Sequence, residues 1–403
     1  MKYIKLFKTT AEYEAYIGDV ENFIMPNVSL CKDTNFTYHK HLPEIEQSKE
    51  YFTIEALEDG LTVSLSQNAC EYRIDNGSWN TLSVDTNTPS ISKGQTLSFK
   101  GNLTPTSSSG IGRFTMSKNC NLKGNIMSLL YGDDFERQTD LSGKDYAFYM
   151  LFYNCNSIVD ASEFILPATT LASSCYYEMF RDCSSLTTAP ALPATTLAEF
   201  CYYSMFAHCT SLVTAPQLPA TTLASYCYHY MFNGCTSLTT APELPATKLA
   251  NYCYSNMFFG CTRLTTAPEL PATTLAIGCY YSMFKGCTSL TTAPELPAET
   301  IAEFCYNSMF KDCTRLTTAP KLPATTLASS CYMNMFYGCN KLNYIKMLAT
   351  DISATSCLFD WVGGVASTGT FVKNPQMTTL PSGVSGIPEG WTVENADPTL
   401  TAV

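Results

Sequence analysis

Basic residues are scarce in this chain of 403 residues: 24 Lys and Arg stand against 35 Asp and Glu, a formal net charge of −11 with histidine neutral. Nucleic-acid binding draws on clustered Lys and Arg that neutralise phosphates. No such cluster is present, so nucleic acid is not an expected partner. Long apolar runs are missing too. Nothing reaches the roughly 18 apolar residues of a membrane-spanning helix, so no membrane insertion is expected. In the opening MKYIKLFKTTAEYEAYI, Lys5 and Lys8 interrupt the run of at least about seven apolar residues that a secretory signal needs. Cys31 lacks the apolar segment that precedes a lipoprotein cysteine. The expectation is a chain made in the cytoplasm without an export signal.

Catalytic signatures are equally absent. There is no G-x-S-x-G elbow, no phosphate-binding G-x-x-x-x-G-K-[ST], no G-x-G-x-x-G and no H-E-x-x-H. Only 4 histidines occur. Two of them, His208 and His229, are expected to be solvated surface residues. Glu243, Glu269 and Glu295 recur at one spacing, but Ala191, Gln217 and Lys321 take the matching places. A hard-metal site needs several converging oxygens, so a solvated edge is expected. No enzyme, no cofactor and no metal follow from these residues.

What the chain does have is 19 cysteines, 15 of them in two ordered ladders. Cys175, Cys201, Cys227, Cys253, Cys279, Cys305, Cys331 and Cys357 step by 26, and Cys183, Cys209, Cys235, Cys261, Cys287, Cys313 and Cys339 do the same. They mark a repeat whose clearest copy is CTSLTTAPELPATKLANYCYSNMFFG, from Cys235 to Gly260. A unit this short cannot bury a core alone, so neighbours must stack. Leu249, Cys253, Met257 and Cys261 lie four apart, which reads as the buried stripe of a short helix widened by Tyr254 and Phe258. Leu264-Thr265-Thr266-Ala267 reads as a short parallel strand ended by Pro268. Thr273 or Thr274 is the expected helix cap and Gly260 its stop. The fold class is therefore α/β, and the cysteines are expected as small buried core residues. On one helix Cys253 and Cys261 would sit about 12 Å apart, too far for a disulfide; bonds between copies stay open.

The run MF-x-G-C-T-S-L, then L-P, then L-A-x-x-C-Y resembles the BspA-like leucine-rich repeat, whose usual form carries A-F-x-x-C-x-x-L. The resemblance covers about half the chain and implies a leucine-rich-repeat solenoid of short parallel strands and short helices. It also implies a surface or adhesion role, as in proteins of gut Bacteroidetes. YIKLFKTTAEYEAYI with PNVSLCKD, about 35 residues, is similar to N-terminal segments of virion proteins of phages and prophages from Bacteroides-like hosts. That resemblance implies an attachment module.

In chain order, residues 1–50 are expected as that module, with a helix from the Thr9/Glu12 capping box to Ile17 and strands at Asn27–Cys31 and Phe36–His39. Residues 51–118 alternate in short runs broken by Glu58-Asp59-Gly60, Asp75-Asn76-Gly77 and Lys93-Gly94, the pattern of antiparallel hairpins in a small β-sandwich. Cys70 and Cys120 could pair across it, but without an export signal two buried free thiols are expected. Residues 119–146 would cap the solenoid, 147–357 hold the repeats and 358–403 form a C-terminal cap.

Comparison of the copies with one another shows where they differ. The positions after Cys-Tyr read Tyr177, Tyr203, His229, Ser255, Tyr281, Asn307 and Met333, and the next ones include Tyr230 and Asn256. Before the second cysteine stand Arg181, Ala207, Asn233, Phe259, Lys285, Lys311 and Tyr337. Both residues before Cys-Tyr vary as well. Tyr, Ser and Asn suit adaptable recognition; free drift of exposed positions is the alternative. The candidate ligand-binding set is Tyr177, Tyr203, His229, Tyr230, Asn256, Phe259, Tyr281, Lys285, Asn307 and Tyr337, expected on one exposed face of helix ends. The functional expectation is a non-enzymatic phage virion fibre or decoration protein. Its expected partners are a host-surface polysaccharide or outer-membrane protein, and other virion proteins through residues 1–50, with the chain itself a homo-oligomer. The alternatives are a BspA-like adhesin on the bacterial cell surface and, last, an enzyme.

Overall fold

A computed structural model describes residues 49–106 and 109–397. The helix to Ile17 and the strands expected before residue 40 lie outside these residues. From Glu50 onward the chain forms one compact unit.

Its first part is a sheet. Phe52–Ala56 (β1) alternates buried Phe52, Ile54 and Ala56 with half-buried Thr53 and Glu55, the period of a strand with one face inward. It pairs antiparallel with Thr96–Lys100 (β5) and Cys120–Asn125 (β7). Cys70–Ile74 (β3) extends the sheet from β5, and Asn80–Leu82 (β4) forms its edge after the Asp75-Asn76-Gly77 turn. Val63–Leu65 (β2) and Phe114–Met116 (β6) make a separate antiparallel pair. The expected antiparallel hairpins are thus present, but the main sheet is mixed. Ile158–Ile165 (β8), from the first repeat, joins β7 in parallel and gives the order β4-β3-β5-β1-β7-β8. Gly124, at φ +69, lets β7 pass close to the chain entering β1: a Cβ there would lie 2.0 Å from the carbonyl oxygen of Tyr51. After β7 come one short helix, Ser128–Tyr131 (α1), and a 3-10 turn at Gly132–Asp134.

Beyond this point the copies stack, but not through helices. From Tyr226 to Cys235 the amide N–H groups alternate strictly in their partners. His229, Met231, Asn233 and Cys235 donate to carbonyls three residues back, at 3.3, 3.2, 3.0 and 3.1 Å. Tyr228, Tyr230, Phe232 and Gly234 donate instead to Cys253, Ser255, Met257 and Phe259 of the next copy, at 3.1, 3.0, 2.9 and 2.8 Å. An α-helix would satisfy every one of these groups four residues back within its own copy. It cannot form, because every fourth residue is left-handed: Tyr226 at φ 57, Tyr230 at φ 57 and Gly234 at φ 69. The expected helix is therefore a run of consecutive turns, and half its donors knit one copy to the next. Neither the helix nor its Thr273/Thr274 cap is present; Thr274 bridges Lys248 and Thr300.

The expected Thr-Thr-Ala-Pro strands shrink to single parallel bridges, Thr188 to Thr214, Thr240, Thr266 and Thr292 in succession. Pro242 or Pro268 follows two residues later and offers no N–H to extend the pairing. Among the described residues full parallel strands recur only at the far end, where Tyr344–Met347 (β9), Thr370–Lys373 (β10) and Thr392–Asn395 (β11) form the sheet β11-β10-β9.

One core runs through all of this. Tyr176, Tyr202, Tyr228, Tyr254, Tyr280, Tyr306 and Tyr332 stack ring on ring, with centroids 5.6 Å apart at the first step and 6.0 Å at the last. A parallel column runs from Phe152 through Phe180, Phe206, Phe232, Phe258, Phe284 and Phe310 to Phe336. Phe152 also meets Phe52 at 5.8 Å and Phe114 at 6.1 Å, so the column is rooted in the N-terminal sheet. Trp361 closes both columns, 6.4 Å from Tyr332 and 6.1 Å from Phe336, and its indole N–H donates to the Gly386 carbonyl at 2.9 Å. All the described cysteines, Cys70 and Cys120 included, are buried free thiols.

Candidate functional site

In several of the first copies the residues that flank the buried Cys-Tyr pair are half-buried and aromatic. Two surface columns result. Tyr149, Tyr177 and Tyr203 stack at 5.0 and 4.5 Å, and His229 continues the column 5.1 Å from Tyr203. Beside them Phe200, Tyr226 and Tyr252 stack at 4.9 and 5.1 Å, although each has a positive φ that bulky residues seldom adopt. Cross-contacts join the columns: Phe200 to Tyr203 at 6.0 Å and Tyr226 to His229 at 5.5 Å. The second column ends over Gly278, where a Cβ would come within 2.2 Å of the Tyr252 ring.

Ring packing decides which surfaces are available. In the first column Tyr177 and Tyr203 cover each other's faces and His229 covers the far side of Tyr203, so these residues offer edges and hydroxyls. Tyr230 is different: its contacts with His229, at 4.3 Å and 85°, and with Tyr203, at 6.1 Å and 68°, are both perpendicular. Tyr281 has no ring partner among the described residues and lies close enough to Tyr230 and Tyr252 to influence their hydroxyls. Among the described residues, Tyr230 and Tyr281 are thus half-buried rings with no second ring stacked on their faces.

Burial shapes the electrostatics. It raises the phenol pKa values of Tyr149, Tyr177 and Tyr203, and the Glu178 carboxylate beside them adds to the rise. The hydroxyls therefore stay protonated donors at neutral pH. Desolvation drives His229 down to about 4, and its Nδ1 is buried without a hydrogen-bond partner. The expected solvated histidine is instead a half-buried ring enclosed by Tyr203, Tyr226 and Tyr230; His208 is exposed, as expected.

The structure divides the candidate set. Tyr177, Tyr203, His229, Tyr230 and Tyr281 belong to the half-buried strip. Asn256 and Asn307 do not: they are 6% and 4% exposed and make local hydrogen bonds with Ser255 and Ser308. At their positions the turn run is covered, not open as a helix end would be. Phe259, Lys285 and Tyr337 lie on another row, where Lys285 sits 5.0 Å over the Phe259 ring and Lys311 4.4 Å over Tyr337. Those faces are occupied by ammonium groups, contacts worth about 0.5–1 kcal/mol each at exposed sites. Phe200, Tyr226 and Tyr252 lie outside the expected set, although the variation before Cys-Tyr pointed to their positions; Tyr149 holds the place of Tyr177 in the first copy, where Ala147 replaces cysteine and hides the register.

No family model, curated protein or solved structure matches this chain. Its function has to be argued from the strip itself.

Proposed function

We propose that the chain is a non-enzymatic binding protein, a leucine-rich-repeat solenoid of BspA-like type that attaches to a bacterial surface through its aromatic strip. The observation that carries this reading is the concentration of rings at positions where packing does not demand them. Tyr149, Tyr177, Tyr203 and His229 follow one another at a place where other copies hold Ser255, Asn307 and Met333. Aromatic surface half in contact with water is poorly explained by stability, and it suits a ligand with one apolar and one hydroxylated side. A cell-surface polysaccharide has that character. Pyranose C–H faces fit the rings of Tyr230 and Tyr281, while sugar hydroxyls fit the phenol edges of Tyr177 and Tyr203. Placement on a phage virion is supported by the resemblance of the first 35 or so residues to virion proteins.

The test compares binding of wild-type chain and a Tyr230→Ala/Tyr281→Ala variant to washed bacterial cells, with Tyr337→Ala as control. The reading requires the double variant to lose at least tenfold in affinity while the control and the circular dichroism spectrum stay unchanged. Equal binding by all three chains would overturn it.

A further inference from the structure

Two concavities meet where the N-terminal sheet joins the stack. One, of about 350 Å³, is lined by Arg113, Thr115, Tyr153 and Ser157 together with Asn154 and Asn156. The other, of about 420 Å³, shares Asn154 and Asn156 and adds Arg181, Asp182, Ser184 and His208. They form one polar groove across the junction.

Backbone conformation marks this groove as more than a seam. The last left-handed residue of each turn run is Gly234, Gly260 and Gly286 in three successive copies, the residue that such a φ favours. In the three copies before them it is Asn154 at φ 58, Asp182 at φ 61 and His208 at φ 61, all lining the groove. Asp312, at φ 61, is the one later departure before Gly338 and Gly364 resume the pattern. Residues kept in a costly conformation point to a local role. These three are the side-chain types that tolerate a left-handed backbone and also bring hydrogen-bonding groups.

The groups are oriented. Asn156 accepts from the Ser184 amide at 3.0 Å and hydroxyl at 2.8 Å, which commits its carbonyl and leaves its NH2 as a donor. Arg181 is held by an ion pair with Glu178 and lies 3.5 Å from Asp182, so its charge is compensated locally. Glu178, itself buried, also raises the phenol pKa values of Tyr149, Tyr177 and Tyr203, so the ion pair that holds Arg181 lies beside the strip. The amides of Asn154 and Asn156 and the hydroxyls of Ser157 and Ser184 match the adjacent hydroxyls of a sugar, beside the paired Arg181 and an exposed Arg113.

We infer that the groove is the subsite that selects among saccharides: it reads the hydroxyl pattern of a neutral sugar unit at the end of a chain lying on the aromatic strip. This inference rests on the carbohydrate reading above. The test is binding of the full chain to a printed array of neutral and uronic-acid oligosaccharides. It compares wild type, the Tyr230→Ala/Tyr281→Ala variant, and two groove variants, Arg113→Gln/His208→Asn and Asp182→Asn, whose Asn residues suit the left-handed backbone. The expected result is that the strip variant loses signal on every sugar. The groove variants should melt like wild type and lose signal on the best sugar, so that its preference over the second sugar falls tenfold or more. Groove variants with wild-type preferences would overturn the subsite and leave the strip reading standing. Wild-type binding confined to uronic-acid sugars would also overturn the subsite as drawn. No binding by wild type to any sugar would overturn the subsite and the strip reading together.

Discussion

The Cys235 thiol donates to the carbonyl oxygen of Phe206, 29 residues earlier, at 3.0 Å. The same oxygen accepts the amide of Cys209 at 3.1 Å, so a thiol from the next copy fills its second lone pair. Cys183, Cys209, Cys261, Cys287, Cys313 and Cys339 repeat the arrangement. Cysteine suits this position because it is small, readily buried and still a weak donor. Burial raises the described thiols, Cys261 and Cys339 to about 12. At pH 8 the cysteines from Cys70 to Cys357 should therefore resist a thiol reagent in the native chain and react only on unfolding, as peptide mapping of the labelled sites would show. Rapid reaction of several thiols in the native state would contradict this packing. Cys235→Ala should cost about 1–2 kcal/mol in denaturant unfolding, for a lost hydrogen bond and a small void.

Trp361 terminates two ring columns at once and is fully buried. Trp361→Ala should cost roughly 3–5 kcal/mol, the range for removing a buried aromatic. The loss should begin at the C-terminal copies, since each copy is held mainly by its neighbours. Hydrogen exchange resolved by segment should show protection falling first between residues 331 and 373 and last around β1 and β7. Uniform loss along the chain would count against a nearest-neighbour stack.

Gly260 has φ +71, and a Cβ there would meet nothing nearer than 3.9 Å. Space is no obstacle, so substitution tests backbone strain alone. Gly260→Ala should destabilise by about 1 kcal/mol and Gly260→Asn by less, because Asn tolerates left-handed dihedrals. If Ala and Asn proved equally mild in thermal unfolding, the turn run would be wrongly described.

His229 supplies a pH signature. Its native pKa, about 4, lies below the ordinary value of 6.5 because the ring is desolvated. The unfolded chain therefore takes up a proton as pH falls below about 6.5, while the folded chain does not until about 4. Stability should fall through that window by on the order of 3 kcal/mol and then level off. His229→Tyr, which restores the residue of the neighbouring copy, should remove that part of the decline. Parallel stability curves for the two chains between pH 7 and 4 would contradict the burial of this ring.

The sequence announced the stacking and the core more clearly than the local conformation. Cys253, Tyr254, Met257, Phe258 and Cys261 are all fully or almost fully buried, as their pattern implied. The same spacing suggested a helix. Yet Leu249, Cys253, Met257 and Cys261 keep a period of 4.0 without the correction to 3.6 that a straight helix requires, and Asn, Asp, His or Gly at the last left-handed position was the second clue. Variation between copies does not by itself report exposure. Variation identified Tyr177, Tyr203 and Tyr230, but Asn256 and Asn307 vary while buried, because short polar side chains can pair with their own neighbours. That Tyr203 has both faces covered depends on distances between copies that no single repeat displays.

The most direct test of the binding account is a crystal structure of the chain with the oligosaccharide that it holds most tightly on the array. The account predicts a sugar ring packed on Tyr230 or Tyr281, with hydroxyls hydrogen-bonded to the Tyr177 and Tyr203 phenols. A saccharide seated instead along the Thr214, Thr240 and Thr266 bridges, with the strip untouched, would contradict it.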